Sequence, residues 1–244
     1  MIDIIISTFH KDFCLDKTLC SLKENIKYPN RIWILDNKSP RSHLIKEVIL
    51  KHKDIISGAW ACDENYFIAT YWWAYKNLIA KDSKYFIMLE ADVTLPEGRE
   101  CWITKSISVL ESEPRVGVVS VRTKPHYPDN QKHYQDWYNS CSAYKDYSDI
   151  LKSNLILWHH LVIRKEIIDN WIKTEGYDYF WYDSHFRNKM IKSGYDCVSL
   201  DWDAYHYASA ESISICPEYA EFMKGAYLFH TKHTLSDKNL ERIV

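Results

Sequence analysis

Four short apolar runs, each cut off by polar residues and each separated from the next by a span of helical periodicity, set the architecture of the first hundred residues. Ile2 to Ile6 ends in Ser7-Thr8-Phe9-His10, and Arg31-Ile32-Trp33-Ile34-Leu35 ends in Asp36-Asn37-Lys38-Ser39. Ile55 to Ala61 forms a third run, and Tyr85-Phe86-Ile87-Met88-Leu89 stops at Glu90-Ala91-Asp92. Runs this short and apolar suit strands covered on both faces. Between them lie Leu15, Leu19, Leu22 and Ile26, then Leu44, Ile45, Val48 and Ile49, then Phe67, Ile68, Tyr71, Trp72, Tyr75, Leu78 and Ile79. Their spacing predicts three helices, the first starting near Asp16 as N-cap. Repeated β-α-β units with crossovers of this length predict an α/β fold with a mostly parallel central sheet flanked by helices.

In such a sheet, ligands sit beyond the carboxyl ends of the strands. Ser7-Thr8-Phe9, Asp36-Asn37 and Glu90-Ala91-Asp92 would share that edge. Glu90 and Asp92 are two apart, so in strand geometry both carboxylates face one side. Paired hard oxygen ligands suit Mg²⁺ or Mn²⁺, which completes its octahedron with water and substrate phosphates. An acid-x-acid tripeptide alone is also what a strand turning into solvent carries. The joint placement of three polar strand ends points to a nucleotide whose diphosphate reaches a metal.

Other classes are disfavoured by what the chain lacks. Its six glycines form neither G-x-G-x-x-G nor a Walker loop, which argues against dinucleotide dehydrogenases and P-loop enzymes. A nucleotidyltransferase would want a glycine-rich, basic loop where Ser7-Thr8-Phe9-His10 stands. Seven cysteines without a C-x-x-C pair read as buried thiols rather than zinc ligands or disulfides. A net charge of −2 gives no global attraction to nucleic acid or anionic lipid. No apolar run approaches membrane-spanning length and no basic-then-apolar leader precedes Ile2, so a cytoplasmic protein is expected. With 244 residues, 46% of them hydrophobic, one domain with one sizeable core is expected.

The second half is less periodic. A helix around 99 to 111 and a strand from Val116 to Val121 precede a polar, aromatic segment, 122 to 150, of the length that lids and recognition loops have. A strand from Leu155 to Ile163, a helix from Lys165 and a short helix with Phe186, Met190 and Ile191 follow. A strand near Cys197 to Leu200 leads to Asp203-Ala204-Tyr205-His206-Tyr207, and Pro217 starts a last helix, Tyr219 to His230. His159-His160 reads as part of a strand rather than a metal site.

The order of these features resembles family 2 glycosyltransferases of the GT-A fold. The likeness is carried by Ile4 to Phe9 with Leu15, Thr18, Leu19 and Leu22, by Trp33 to Ser39, and by Phe86 to Gly98, which is similar to a D-x-D motif led by Glu90. It continues through Leu161 to Lys165, Gly176-Tyr177-Asp178, Tyr182-Asp183 and Lys192 to Tyr195. His206, Ser209 and Ser212 look like the family's late H-x-x-G-x-S, and Tyr227 to His233 closes the likeness. The chain departs from the family at Lys38, where glycine is common. It departs again at Phe67, Trp72 and Ala74 in the helix that Asn65 opens, and at Tyr182 and His185, which replace outer acids.

The resemblance implies a single GT-A domain, with 1–98 as the nucleotide-binding half and 99–244 as the acceptor-binding half with a C-terminal helix. It implies a metal-dependent transfer of a sugar from a nucleotide-diphosphate sugar to an acceptor hydroxyl, inverting at the anomeric carbon, with Asp183 as general base. Thr8, Phe9, Asp36, Asn37, Asn65, Glu90, Ala91 and Asp92 would hold the donor. Asp92, Glu90 and His206 would hold Mn²⁺ or Mg²⁺, although a satisfied histidine at a strand end reads equally well for His206. The acceptor is expected to be a glycan or small molecule, with a hydroxymethylated DNA base as a further class. For that last class, Lys38, Arg41, Lys46, Lys51 and Lys53, with Arg187, Lys189 and Lys192, could line a polyanion track, although charge runs of this kind are usually solvated helix faces. The rival readings are a degenerate sugar- or nucleotide-binding protein without turnover, and a nucleotidyltransferase.

Overall fold

The computed structural model describes residues 1–66, 68–95, 100–125, 131–145, 147–152, 159–175, 183–207 and 235–244. The elements expected in the first half are present: β1 (Ile2–Thr8), α1 (Asp12–Asn25), β2 (Asn30–Asp36), α2 (Ser42–Lys51), β3 (Ile56–Cys62), α3 (Ala69–Leu78) and β4 (Tyr85–Glu90). There follow α4 (Trp102–Ser112), β5 (Val116–Pro125), α5 (Gln131–Ser140), β6 (Ser142–Tyr144), β7 (Tyr147–Lys152) and β8 (His160–Arg164). The described chain closes with α6 (Lys165–Glu175), α7 (Asp183–Lys192), β9 (Asp196–His206) and β10 (Leu240–Arg242).

Alternation along the strands explains the layers. In β1, Ile2, Ile4 and Ile6 join one buried cluster with Leu15, Leu19 and Leu22 of α1, Ile45 and Ile49 of α2, and Trp102 and Ile103 of α4. Ile5 points the other way, and with Phe86 and Met88 of β4 it meets Tyr71 and Tyr75 of α3, Ile167 and Trp171 of α6, and Phe186 of α7. Side chains that alternate between two covered faces make the strand a continuous apolar run. Each fully buried isoleucine or leucine contributes about 1.5–3 kcal/mol.

The sheet order is β10-β3-β2-β1-β4-β8-β5-β9-β7-β6. The parallel arrangement expected from the crossovers holds for β3-β2-β1-β4, whereas β8 runs antiparallel to both β4 and β5 and makes the other half mixed. Three local expectations are corrected. Helix α1 starts at Asp12, one turn before Asp16, and the Asp16 carboxylate instead meets Lys51 and His52. Within 122–150, β5 continues to Pro125 and is followed by α5 and the β6–β7 hairpin. His206 belongs to β9, which extends well past Leu200. The segments expected at 155–158, 176–182 and 208–234, including Tyr182, Ser209, Ser212 and the last helix, lie outside the described residues, as do Phe67, Pro96 and Gly98.

The turn after β4 is fastened to α1 by one hydroxyl. Thr18 Oγ1, fully buried, lies 3.0 Å from the Ala91 carbonyl and 2.7 Å from the Val93 carbonyl, and it accepts the Val93 N–H at 3.2 Å. Ser21 Oγ, one helical turn on, accepts the Leu95 N–H at 2.9 Å. The isosteric Thr18→Val variant strands these buried backbone groups and should lose about 1–3 kcal/mol in denaturant unfolding, whereas Thr18→Ser should lose much less.

Lys38 has φ +57° and is exposed, so the position where glycine is common in the resembling family does adopt the left-handed backbone that favours glycine. Lys38→Gly should therefore raise stability by about 0.5–1 kcal/mol by the same measurement. Gly194 has φ +86° with open space where a Cβ would stand, so Gly194→Ala should cost about 1 kcal/mol through backbone strain alone.

Candidate active site

The carboxyl ends of β1, β2 and β4 lie side by side, with Thr8 opposite Asp36 and Ser7 opposite Glu90 in register. At the β1–β2 end, Asp36 is buried. Its Oδ1 accepts the Ser39 hydroxyl at 2.5 Å and the Ser39 N–H at 3.1 Å, a turn-capping arrangement. Its Oδ2 is buried without a hydrogen-bond partner, and so is Thr8 Oγ1 beside it. Burial raises the Asp36 pKa above the usual carboxylate value, and the Ser39 bonds only partly oppose that.

The side chain of Asn37 points into the protein. Its amide donates to Ser7 Oγ at 2.6 Å, and its carbonyl accepts the Tyr66 N–H at 3.1 Å. Its role in the geometry is to tie β1 and β2 to the approach of α3. Phe9 is half-buried, with its ring edge-on to His10 at 4.3 Å. Asn65 is half-buried between β3 and α3.

At the β4 end, Asp92 is fully buried and Ala91 nearly so, while Glu90 is partly open. Asp92 Oδ2 meets Lys11 Nζ at 2.5 Å and His206 Nε2 at 3.2 Å. Its Oδ1 is buried without a hydrogen-bond partner. Burial opposes the charge on Asp92, but Lys11, and after it His206, outweigh burial and hold this carboxyl far below the usual range. Glu90 Oε2 lies 2.6 Å from His159 Nδ1 and 3.6 Å from His206 Nε2. There too burial pushes upward, and the neighbouring His159 outweighs it and lowers the pKa. The His159 and His206 rings stack with centroids 4.0 Å apart.

Backbone contacts hold this group in place. The Tyr207 N–H donates to the Asp92 carbonyl at 2.8 Å, and the Glu90 N–H donates to the His159 carbonyl at 3.1 Å. The end of β9 and the start of β8 thus converge on the β4 turn. Lys11, Glu90, His159 and His206 are each partly exposed, so the group opens to solvent on the side away from Asp92.

The structure therefore brings Glu90, Asp92 and His206 together next to Thr8 and Asp36. Asp183 opens α7, and its side chain is outside the description. The two adjacent histidines divide. His160 is buried in the sheet, its imidazole pushed down to about 3 by burial and so neutral, and its Nε2–H donates to the Thr94 carbonyl at 3.1 Å. His159 joins the acidic group, which corrects its reading as strand alone.

Lys11 was not visible as a site residue, because placing the helix start at Asp16 hid its position at the first turn beside β1. The signal for His159 is non-local, since it depends on β8 pairing with β4. The expected basic track is partly neutralised: Arg41 pairs with Asp12 at 2.8 Å and Lys51 with Asp16 at 2.8 Å.

No family model and no curated protein sequence matches the chain. Solved structures do. Mannosyltransferase PcManGT from Pyrobaculum calidifontis, in complex with GDP-Man and Mn²⁺, aligns at TM-score 0.62 and 15% identity over 93% of this chain and 64% of that one. GalNAc-T7 with UDP, GalNAc and Mn²⁺ aligns at 0.59 and 12% identity, over 85% of this chain and 43% of that one. S. aureus TarS 1–349 in complex with UDP-GlcNAc aligns at 0.59 and 12% identity over 97% and 68%. The chain spans less than two thirds of the first two. All three are GT-A fold glycosyltransferases, and by its own sheet, layers and strand order this chain has the GT-A fold.

Proposed function

We propose that this protein transfers a sugar from a nucleotide-diphosphate sugar to an acceptor hydroxyl, with a divalent cation and with inversion at the anomeric carbon. The observation that carries this reading is a row of buried side-chain oxygens without hydrogen-bond partners, Thr8 Oγ1, Asp36 Oδ2 and Asp92 Oδ1, along one carboxyl edge of the sheet. A protein rarely leaves buried acceptors unsatisfied, and a row of them is what a bound polar ligand and cation would complete. Thr8 and Asp36, with Phe9 and Asn65 nearby, suit the nucleoside, and Asn37 sets their spacing. Ala91 brings the main chain of the β4 turn up to the donor.

The donor set fits a cation. His206 Nε2 lies 3.6 Å from Glu90 Oε2 and 3.2 Å from Asp92 Oδ2, and Asp92 keeps an unpartnered Oδ1, so two carboxylates and an imidazole adjoin, a mixture that suits Mn²⁺ better than Mg²⁺. Bound there, the cation would act as a Lewis acid that neutralises the leaving diphosphate. Lys11, just before α1, adds a fixed positive charge to that side. The acceptor oxygen bonds to the anomeric carbon as the bond from that carbon to the diphosphate breaks, and the diphosphate leaves with the electron pair. The acceptor proton passes to the Asp183 carboxylate, acting as general base. A glycan or small-molecule acceptor is favoured over DNA, since acids already engage Arg41 and Lys51. Cys20, Cys62, Cys101 and Cys197 are thiols, which agrees with a reducing, cytoplasmic setting, and among the described residues no helix is long and apolar enough to cross a membrane.

One observation favours a second reading. Lys11 already sits 2.5 Å from Asp92, so the protein could hold a nucleotide sugar on a fixed ammonium, without metal and without turnover. Release of nucleoside diphosphate from a panel of UDP-, GDP- and TDP-sugars and candidate acceptors separates the two. The expected result is release that EDTA abolishes and Mn²⁺ restores, with Asp92→Asn down on the order of a hundredfold or more. Release indifferent to EDTA would sink the cation, and donor binding without release would favour the second reading. Asp183→Asn should lower turnover about a hundredfold or more while donor binding, read as a thermal shift, persists.

A further inference from the structure

Two clusters among the described residues bring three metal-ligating side chains within reach of one another: Asp16 with Cys20 and His52, and Glu90 with His159 and His206. In the first, Lys51 Nζ lies 2.8 and 2.9 Å from the two Asp16 oxygens, so its one carboxylate is already neutralised. The second adjoins Asp92, whose Oδ1 is buried and unpartnered.

We propose that His159 is a ligand of the cation site, giving it two imidazoles and turning its preference toward Mn²⁺, Co²⁺ and Zn²⁺ and away from Mg²⁺. This rests on the reading that Glu90, Asp92 and His206 hold a cation. The ligand atoms of Glu90, His159 and His206 all lie within 4.8 Å of one another, close enough for one ion to touch all three. His159 reaches the group from the turn just before β8. Its carbonyl accepts the Glu90 N–H at 3.1 Å, and its ring stacks on His206 at 4.0 Å.

Both contacts fix the direction of Nδ1, which points at Glu90 Oε2 from 2.6 Å. The proton that Nδ1 shares with Glu90 is released when a cation takes its place. Imidazole nitrogen is a good ligand for the later first-row metals and a poor one for Mg²⁺, which demands oxygen. A second imidazole therefore changes which ion the site selects, beyond how tightly it binds.

The test uses the full chain stripped of metal and titrated with Mn²⁺ alone, read by electron paramagnetic resonance, with spin-echo modulation to count coupled imidazole nitrogens. The wild type should show two imidazoles on bound Mn²⁺. His159→Ala should show one, bind Mn²⁺ about ten- to a hundredfold more weakly, and change Mg²⁺ affinity, measured by competition, by less than about threefold. His159→Gln retains a donor toward Glu90 without an imidazole. An equal loss in His159→Gln supports ligation, whereas recovery of Mn²⁺ affinity by glutamine would overturn it and leave His159 a clamp on Glu90. Two-imidazole modulation persisting in a folded His159→Ala variant would also overturn it. Failure of the wild type to bind Mn²⁺ at all would instead sink the cation reading itself, so the two failures are distinguishable.

Discussion

A carboxylate cut off from water has to be answered by positive charge, and Asp92 imposes that demand on everything around it. Lys11 is the residue just before α1 and His206 is the last residue of β9, so elements far apart in sequence meet at one oxygen. Charges buried this way are stable only when geometry and hydrogen bonding are good. The Thr18 hydroxyl provides that geometry by fixing the main chain on both sides of Asp92. The second oxygen of Asp92 is left without a partner, and this remainder gives the cleft its chemical direction.

The neighbouring strand ends repeat the pattern in a milder form. Asp36 satisfies one oxygen inside its own turn and leaves the other bare, and Thr8 beside it does the same with its hydroxyl. Asn37, by contrast, turns its amide inward, and that is why the two bare oxygens keep a fixed spacing. The edge divides into a polar strip over β1 and β2 and a charged group over β4, both carried by a single sheet.

How much of this was legible in the sequence depends on whether the signal is local. The runs ending at Thr8, Asp36 and Glu90 and the helical stripes between them record burial on two faces, and they placed β1 to β4 correctly. The region 122–150 was read as loop because the sequences of α5 and of the β6–β7 hairpin at the sheet edge are polar and show little apolar periodicity, although Tyr144 and Ile150 of the hairpin are buried in the core. Glu90, Asp92 and His206 could be named from residue type and order. His159 and Lys11 could not, because their place depends on the pairing of β8 with β4 and on where α1 begins. Asp36 was expected as a donor contact, and one oxygen of its carboxylate caps its own turn, a local role that the residue type also suits.

The two turns that follow β1 and β2 lean on each other through one peptide bond and one hydroxyl. The Asn37 N–H donates to the Thr8 carbonyl, the His10 N–H donates to Ser39 Oγ, and both His10 and Lys38 take a left-handed backbone. Ser39 Oγ also donates to Asp36, so a single small side chain joins both turns to the buried carboxylate. Drift at exposed Lys38 alters what the rim shows to solvent and leaves its contour standing, whereas a change at Ser39 would loosen both turns at once.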